Sequence, residues 1–468
     1  MLQWIEAVNH WIWGPWMLAI LVGTGVFLTI RLKAYPWKNL GFALRSVFIR
    51  NIKKPAQGDI SPFQSLMTSL AATIGTGNLV GVSSAMVLGG PGALVWMWIS
   101  ALFGLSTKYA ESVLAVAYRE KLPNGQMAGG PMYAMKNGFT HQAVGRFLAV
   151  AFSFFACVAA FGIGNMTQAN SIAHALSTAM GIQPWILGLV LAILSACVLL
   201  GGIQSIGRVC GVIVPFMAVA YFGAGLLAIG SNWENLPSGL SQIFHMAFSP
   251  SAVAGGVGGT VIVSMGQAMK WGVARGVFSN EAGLGSAPIA AAAAQTDHPS
   301  RQGYINMTGT FFDTLIVCSI TGLVIASSGV LGQQNAAGEI MMGAELTQAA
   351  FSAALGPIGG WVVTISIVLF AFSTILGWEY YGEKALEYLC KSQRWNRGYR
   401  WVYCVFVYIG ATISLPAVWG ISDIMNGLMI LPNVLCLWRL SGKVASLCFD
   451  FEHRIKKKET GMKKRKTS

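Results

Sequence analysis

The chain has 468 residues, of which 54% are hydrophobic and only 10% charged. A soluble domain carries about 25% charged residues, so a soluble globular protein is excluded and most of the chain must face lipid or other apolar helices. The net charge of +14 does not point to nucleic acid, because it sits in loops between apolar segments and in the terminal run Arg454–Lys466. That is the pattern of a positive face beside anionic membrane lipid.

Leu2–His10 holds no Lys or Arg, so the basic start of a cleavable signal is missing. Eleven apolar segments follow, each near the ~20 residues that a membrane span requires. They cover 12–30, 64–88, 93–117, 147–174, 184–201, 209–229, 253–274, 305–330, 358–382, 401–418 and 420–438. With the N-terminus outside, all 31 Lys and Arg fall on the inner side, including Lys270, Arg275 and Arg301. The positive-inside rule then sets the N-terminus out and the C-terminus in the cytoplasm.

The first segment stands apart. Behind it, Arg31, Lys33, Tyr35, Trp37, Lys38 and Arg45 read as an interfacial helix. Ten segments remain, five beginning inside at Gln64 and five beginning outside near Ala252. Two five-helix units of opposite orientation suggest an inverted repeat. The division is 1–62 for the extra helix and basic segment, 63–230 and 231–440 for the two repeats, and 441–468 for a basic cytoplasmic tail.

The second segment, 64–88, lies in the stretch from Gln64 to Gly90, QSLMTSLAATIGTGNLVGVSSAMVLGG. Its middle, Ile74-Gly75-Thr76-Gly77-Asn78, is poor helix material. A helix broken at membrane depth must be buried in protein or line a wet cavity, where it offers loose carbonyls to a cation and a helix N-terminus to an anion. A glycine-rich packing face is the plain alternative. In the second half, the glycines Gly255, Gly256, Gly258 and Gly259 open the segment. The helix there breaks either around Gly255–Gly266 or at Ser279–Gly285. Lys270 is costly at bilayer centre, which favours placing it near the cytoplasmic side. Asn280 and Glu281 then form an inner gate, or Ser279 or Asn280 simply caps a helix Glu281–Ala294.

Catalytic constellations are absent: no Walker loop, HExxH motif or nucleophile elbow, and six scattered histidines. The eight cysteines have no metal spacing and no disulfide framework. Neutral oxygens and amides dominate at membrane depth: Thr73, Thr76 and Asn78, then Asn165, Thr167, Gln168 and Asn170, then Ser366, Ser373 and Thr374. Hard cations prefer such oxygen ligands, although a single Ser or Thr commonly bonds its own i−4 carbonyl. Asp313, inside an apolar run, is a functional candidate or a structural hydrogen-bonding group. Glu111 and Glu379 read as interfacial. Trp96 and Trp98 fit an aromatic belt. Trp378 shares a helix face with Thr374 and either walls a pocket or packs.

Four motifs resemble one known family: Ala72-Thr73-Ile74-Gly75-Thr76-Gly77-Asn78, GGPGALVWMW from Gly89 to Trp98, FSNEAGLGSAPIA from Phe278 to Ala290, and FSTILGWEYYGE from Phe372 to Glu383. They resemble the alanine or glycine:cation symporters, the bacterial sodium:alanine symporters. The resemblance covers nearly the whole chain. It implies an all-α integral membrane protein of the inner membrane, with the leucine-transporter type fold of five-plus-five inverted repeats after one extra helix. It implies sodium-coupled import of a small neutral amino acid, alanine above all and often glycine, with no organic cofactor. Substrate would contact Thr76, Gly77, Asn78 and Gln168, with Trp378 limiting side-chain size. One sodium would use carbonyls of Ala71 and Ile74 with the hydroxyls of Ser373 and Thr374. A second would use Thr73 and Asn78. Asp313, Asn280 and Glu281 stand as coupling or gating groups. A proton-coupled carrier of another metabolite on the same fold is the alternative, and Asp313 is the residue that favours it.

Overall fold

The computed structural model describes residues 2–48, 57–250, 252–254, 261–413 and 416–466. Helices α1 (Leu2–Ile12) and α2 (Pro15–Arg31) form one span, and the short α3 (Tyr35–Lys38) and α4 (Leu40–Phe48) follow on the far side. Helix α5 (Pro62–Thr73) starts at a capping box, in which Ser61 and Gln64 satisfy each other's backbone N–H groups. The chain leaves the helix at Ile74, turns by 50°, resumes as a π turn at Gly77–Gly81 and continues as α6 (Val82–Leu88). The segment is therefore broken where its sequence is weakest.

Helix α7 (Ala93–Ala117) leads to a small hairpin, β1 (Glu120–Lys121) and β2 (Met127–Ala128), whose register pairs Glu120 with Ala128. Then come α8 (Pro131–Gly138) and one long span made of α9 (Gln142–Phe161), a π turn at Gly162–Met166 and α10 (Thr167–Met180). Helices α11 (Pro184–Leu199), α12 (Gly202–Ser231) and α13 (Leu236–Phe248) complete the first half.

The second half opens differently from the expectation. Instead of a span over 253–274, an antiparallel hairpin of β3 (Ala252–Ala254) and β4 (Val261–Val263) precedes α14 (Met265–Asn280). The four glycines from Gly255 to Gly259 lie outside the described residues. A second capping box, Ser264 with Gln267, fixes the start of α14. The break falls at Ser279–Gly285, the other of the two positions considered. Glu281, Gly283 and Gly285 all take positive φ there, which glycine adopts freely. Asn280 ends α14 and does not cap a helix Glu281–Ala294; only the short α15 (Pro288–Ala292) follows.

Next are α16 (Pro299–Thr310), a π turn at Phe311–Cys318, α17 (Ser319–Ser328), α18 (Gly343–Leu355), the long α19 (Pro357–Cys390), α20 (Asn396–Thr412) and α21 (Pro416–Lys466). Among the described residues, six helices are long and apolar enough to cross a membrane, or seven with the bent α5–α6 pair. Helix α7 packs against α14 and α16, and α19 packs against α5, α9 and α10. The two broken segments thus lie inside the bundle.

Two charge placements are corrected. Lys270 Nζ stands 3.0 Å from His10 Nε2, and Arg275 lies one turn further along α14. Both share the side of the N-terminal helix, not the side expected for the cations. Glu111 and Glu379 are not interfacial but buried in the protein interior. Trp96 and Trp98 donate to the Ala247 carbonyl and the Ser319 hydroxyl and so tie α7 to α13 and α17.

Candidate functional site

The α5 break frees two carbonyls. Gly75 N–H would close the last helical turn onto Ala71 but donates to Asn78 Oδ1 at 3.0 Å. The Ala71 and Ile74 oxygens turn instead to α19. Thr374 Oγ1 lies 3.0 Å from the Ala71 oxygen and 3.5 Å from the Ile74 oxygen, and Ser373 Oγ lies 3.4 Å from the former. Both hydroxyls also reach their own helix at the Phe370 carbonyl, 2.9 Å away. Gly75 is needed for this approach, because a Cβ there would sit 2.5 Å from Thr374 Oγ1. Oxygens held ~2.4 Å from a hard cation stand about 3.4 Å apart in octahedral geometry. The three hydroxyl–carbonyl distances, 3.0–3.5 Å, lie around that value.

Beside them is a small cavity of about 20 Å³, lined by Thr73, Thr76, Gly77, Gln168, Phe278 and Trp378 among others. By volume it has room for little more than a water. Three of its buried lining oxygens, Thr76 Oγ1, Gln168 Oε1 and Asn426 Oδ1, have no hydrogen-bond partner. An unpartnered buried polar atom costs about 1–3 kcal/mol, so these atoms favour a polar guest. Gln168 is aimed by its own amide, which donates to the Ile163 carbonyl at 3.0 Å within the π turn. Trp378 closes the other side. It packs so tightly on Gly164 that a Cβ at that glycine would overlap the tryptophan side chain. Phe278 also borders a second, outer cavity of about 180 Å³ that contains His10, Lys270, Arg275 and Asp423. Phe278 is thus common to both cavities.

Asn78 does not line the central cavity. Its amide nitrogen donates to Asp313 Oδ1 at 2.7 Å, while its oxygen holds the Gly75 N–H. Thr73 lines the cavity, but its hydroxyl bonds back to Ser69 and Leu70. Thr73 and Asn78 therefore make separate sets of contacts. Asp313 also accepts from Ser279 at 2.9 Å and from Thr314 at 2.8 Å. It joins the α5 break to the end of α14. Asn280 donates to Thr314 and caps Ala282 N–H with its own oxygen. Glu281 lines the cavity and accepts from Ser286 at 2.7 Å.

Three residues outside the sequence expectation hold the second break. Lys108 Nζ donates to the Asn280 carbonyl at 2.6 Å, and Glu111 accepts from Gly283 N–H at 3.0 Å and from Asn433 at 2.7 Å. Asn426 is a further missed cavity residue. The signal for all four was available: polar groups inside apolar runs.

The profile described as the sodium:alanine symporter family matches residues 1–466. The chain belongs to the sodium:alanine symporter family. "Sodium/alanine symporter AgcS" of Methanococcus maripaludis is 52% identical over 442 residues, 94% of this chain and 95% of that protein. "Probable sodium/glutamine symporter GlnT" of Bacillus subtilis is 35% identical, over 97% of this chain and 91% of that one. Among solved structures, MhsT in complex with L-phenylalanine aligns at a TM-score of 0.57 and 13% identity, covering 84% of this chain and 99% of that one. A nucleobase–cation symporter in a closed conformation aligns at 0.50 and 11% identity, covering 85% and 80%. These last two show a shared fold. A member of the sodium:alanine symporter family is a membrane transporter, and the apolar spans of this chain agree.

Proposed function

We propose that the protein imports a small neutral amino acid, alanine first and glycine second, together with sodium by alternating access. The observation that carries this reading is the meeting of Ala71, Ile74, Ser373 and Thr374 oxygens beside a cavity lined by unpartnered oxygens. Sodium sits among those four oxygens. The substrate ammonium turns to Thr76, Gln168 and Asn426, and its carboxylate faces the helix that resumes at Gly77, where backbone N–H groups and the helix dipole favour an anion. The cavity holds little more than a water in this conformation, so the substrate enters in a conformation that widens it, and Trp378 then limits the side chain to a short one. Asn78 acts on the site through Asp313 and Gly75, and a second sodium at Thr73 and Asn78 would require both side chains to leave their present partners. Asn280, Glu281 and Asp313 couple the two breaks.

We further read residues 63–230 and 231–440 as two inverted five-helix repeats after the extra helix of 1–62, followed by the tail 441–468. The whole forms eleven spans in the inner membrane with the N-terminus outside. The name of the 52% identical relative, a sodium/alanine symporter, supports sodium and alanine, and that of the probable sodium/glutamine symporter supports sodium alone. Proton coupling through Asp313 fits less well, because three donors already hold that carboxylate. The test is uptake of labelled alanine into proteoliposomes under an inward sodium gradient, repeated with potassium. Sodium-dependent accumulation is expected. Equal uptake in both would overturn the coupling, and no uptake of either alanine or glycine would overturn the cargo.

A further inference from the structure

The largest cavity described lies far from the transport site. It measures about 980 Å³ and sits between the start of α9, the β1–β2 hairpin and the end of α19. Six charged side chains stand around the feature, of two kinds. Glu120 is matched by Lys136 at 2.8 Å and by Asn137, and Glu387 is matched by Lys384 at 3.0 Å and by Asn396. The other three are cations: Arg146 from α9, Lys391 at the end of α19 and Arg394 in the 3-10 turn that follows. None of these three has a carboxylate partner among the described residues. Lys391 is held there by a left-handed backbone, φ 51°, which is uncommon for a residue with a side chain. Gln393 also lines the cavity, and its amide nitrogen is buried without an acceptor. All three side chains are exposed at the rim of the cavity, where an anion that joins them relieves the repulsion between like charges from different elements.

Part of the cavity wall is apolar. Val150 lines it and is 50% exposed, and Phe147 and Phe154, also exposed, share its face of α9. Helix α9 belongs to a span, so this apolar stripe borders lipid hydrocarbon. A guest that suits both parts has an anionic phosphate and an acyl chain. We propose that this cavity is a binding site for the phosphate of an anionic phospholipid, held by Arg146, Lys391, Arg394 and the Gln393 amide, with an acyl chain along Phe147, Val150 and Phe154. Such a lipid would join the helix that leads to Gln168 to the one that carries Ser373, Thr374 and Trp378.

The test uses the full-length protein in neutral detergent, with bound lipid read by native mass spectrometry. The probes are phosphatidylglycerol, phosphatidylcholine and inorganic phosphate. Wild type should retain phosphatidylglycerol over phosphatidylcholine, and the triple variant R146Q/K391Q/R394Q should retain it roughly tenfold less. A control with the same charge loss elsewhere, R31Q/K38Q/K443Q, should retain it as wild type does. Both variants are first shown to elute as a single species, and V150D, which keeps all three cations, gives a second route by blocking the acyl wall. Equal retention of the two lipids, or equal loss in the control, would overturn the site. Displacement of the lipid by millimolar inorganic phosphate, with the same thermal shift from phosphate alone, would overturn the lipid as the source and leave a free-phosphate site.

Discussion

At the residue scale, the proposed sodium site rests on the hydroxyls of α19. Ser373 and Thr374 bring two oxygens to carbonyls that would otherwise lack hydrogen-bond partners. Hydrogen bonds and ligand contacts to charged groups are worth about 1.5–3 kcal/mol. S373A and T374V should each raise the sodium concentration for half-maximal uptake roughly tenfold or more, with little change in insertion. Sodium titration of uptake checks this, and an unchanged titration would remove them as ligands. Trp378 makes a different prediction. W378A enlarges the cavity on the side-chain end, so larger neutral amino acids should compete with alanine roughly tenfold better. Fixed selectivity would leave the tryptophan as packing alone. For Asn78 the sequence pattern and the geometry part company. The motif places it at the break, yet its amide faces Asp313. Direction of a side chain depends on which neighbour supplies a partner, and Asp313 is more than two hundred residues away. N78A should abolish uptake by releasing Gly75 N–H and Asp313, and a variant that transports normally would show that neither link matters.

At the element scale, the proposed mechanism rests on the two breaks. The first was legible, because two glycines, a threonine and an asparagine oppose a helix locally. The second was narrowed to two positions but not chosen, since hydropathy counted the valines of 253–274 as a span. The signal that decides it was present: Ser264 and Gln267 have capping-box spacing and start α14 there. What no local pattern held was the bracing of the break from α7 and α21. Glu111 accepts from Gly283 N–H and from Asn433. E111A leaves both donors buried without a partner, at about 1–3 kcal/mol each, and should lower the unfolding midpoint by roughly 2–4 °C or more. E111Q keeps an oxygen toward Gly283 and should lose less. A midpoint equal to wild type for E111A would mean that the break stands without this brace.

At the scale of the whole molecule, charge and topology meet. The positive-inside rule concerns cations that a loop must carry through lipid during insertion. Lys270 and Arg275 depart from it because they are not loop charges. They sit on a helix beside His10 and Asp423, lining a cavity behind Phe278, where the protein and not the lipid is their solvent. Their side therefore says little about orientation, and the other cations keep the argument. The geometry makes that argument testable with one native thiol. Cys390 is exposed at the end of α19, on the side opposite the loop that holds the exposed Ala337. The chain crosses from α18 to Cys390 in one helix of 34 residues, about 51 Å at the usual rise and long enough for any bilayer. With the N-terminus outside, an impermeant maleimide added to intact cells should label A337C and spare Cys390, and permeabilisation should expose Cys390. The reverse order would invert the molecule and, with it, the direction in which the two breaks face the sodium gradient.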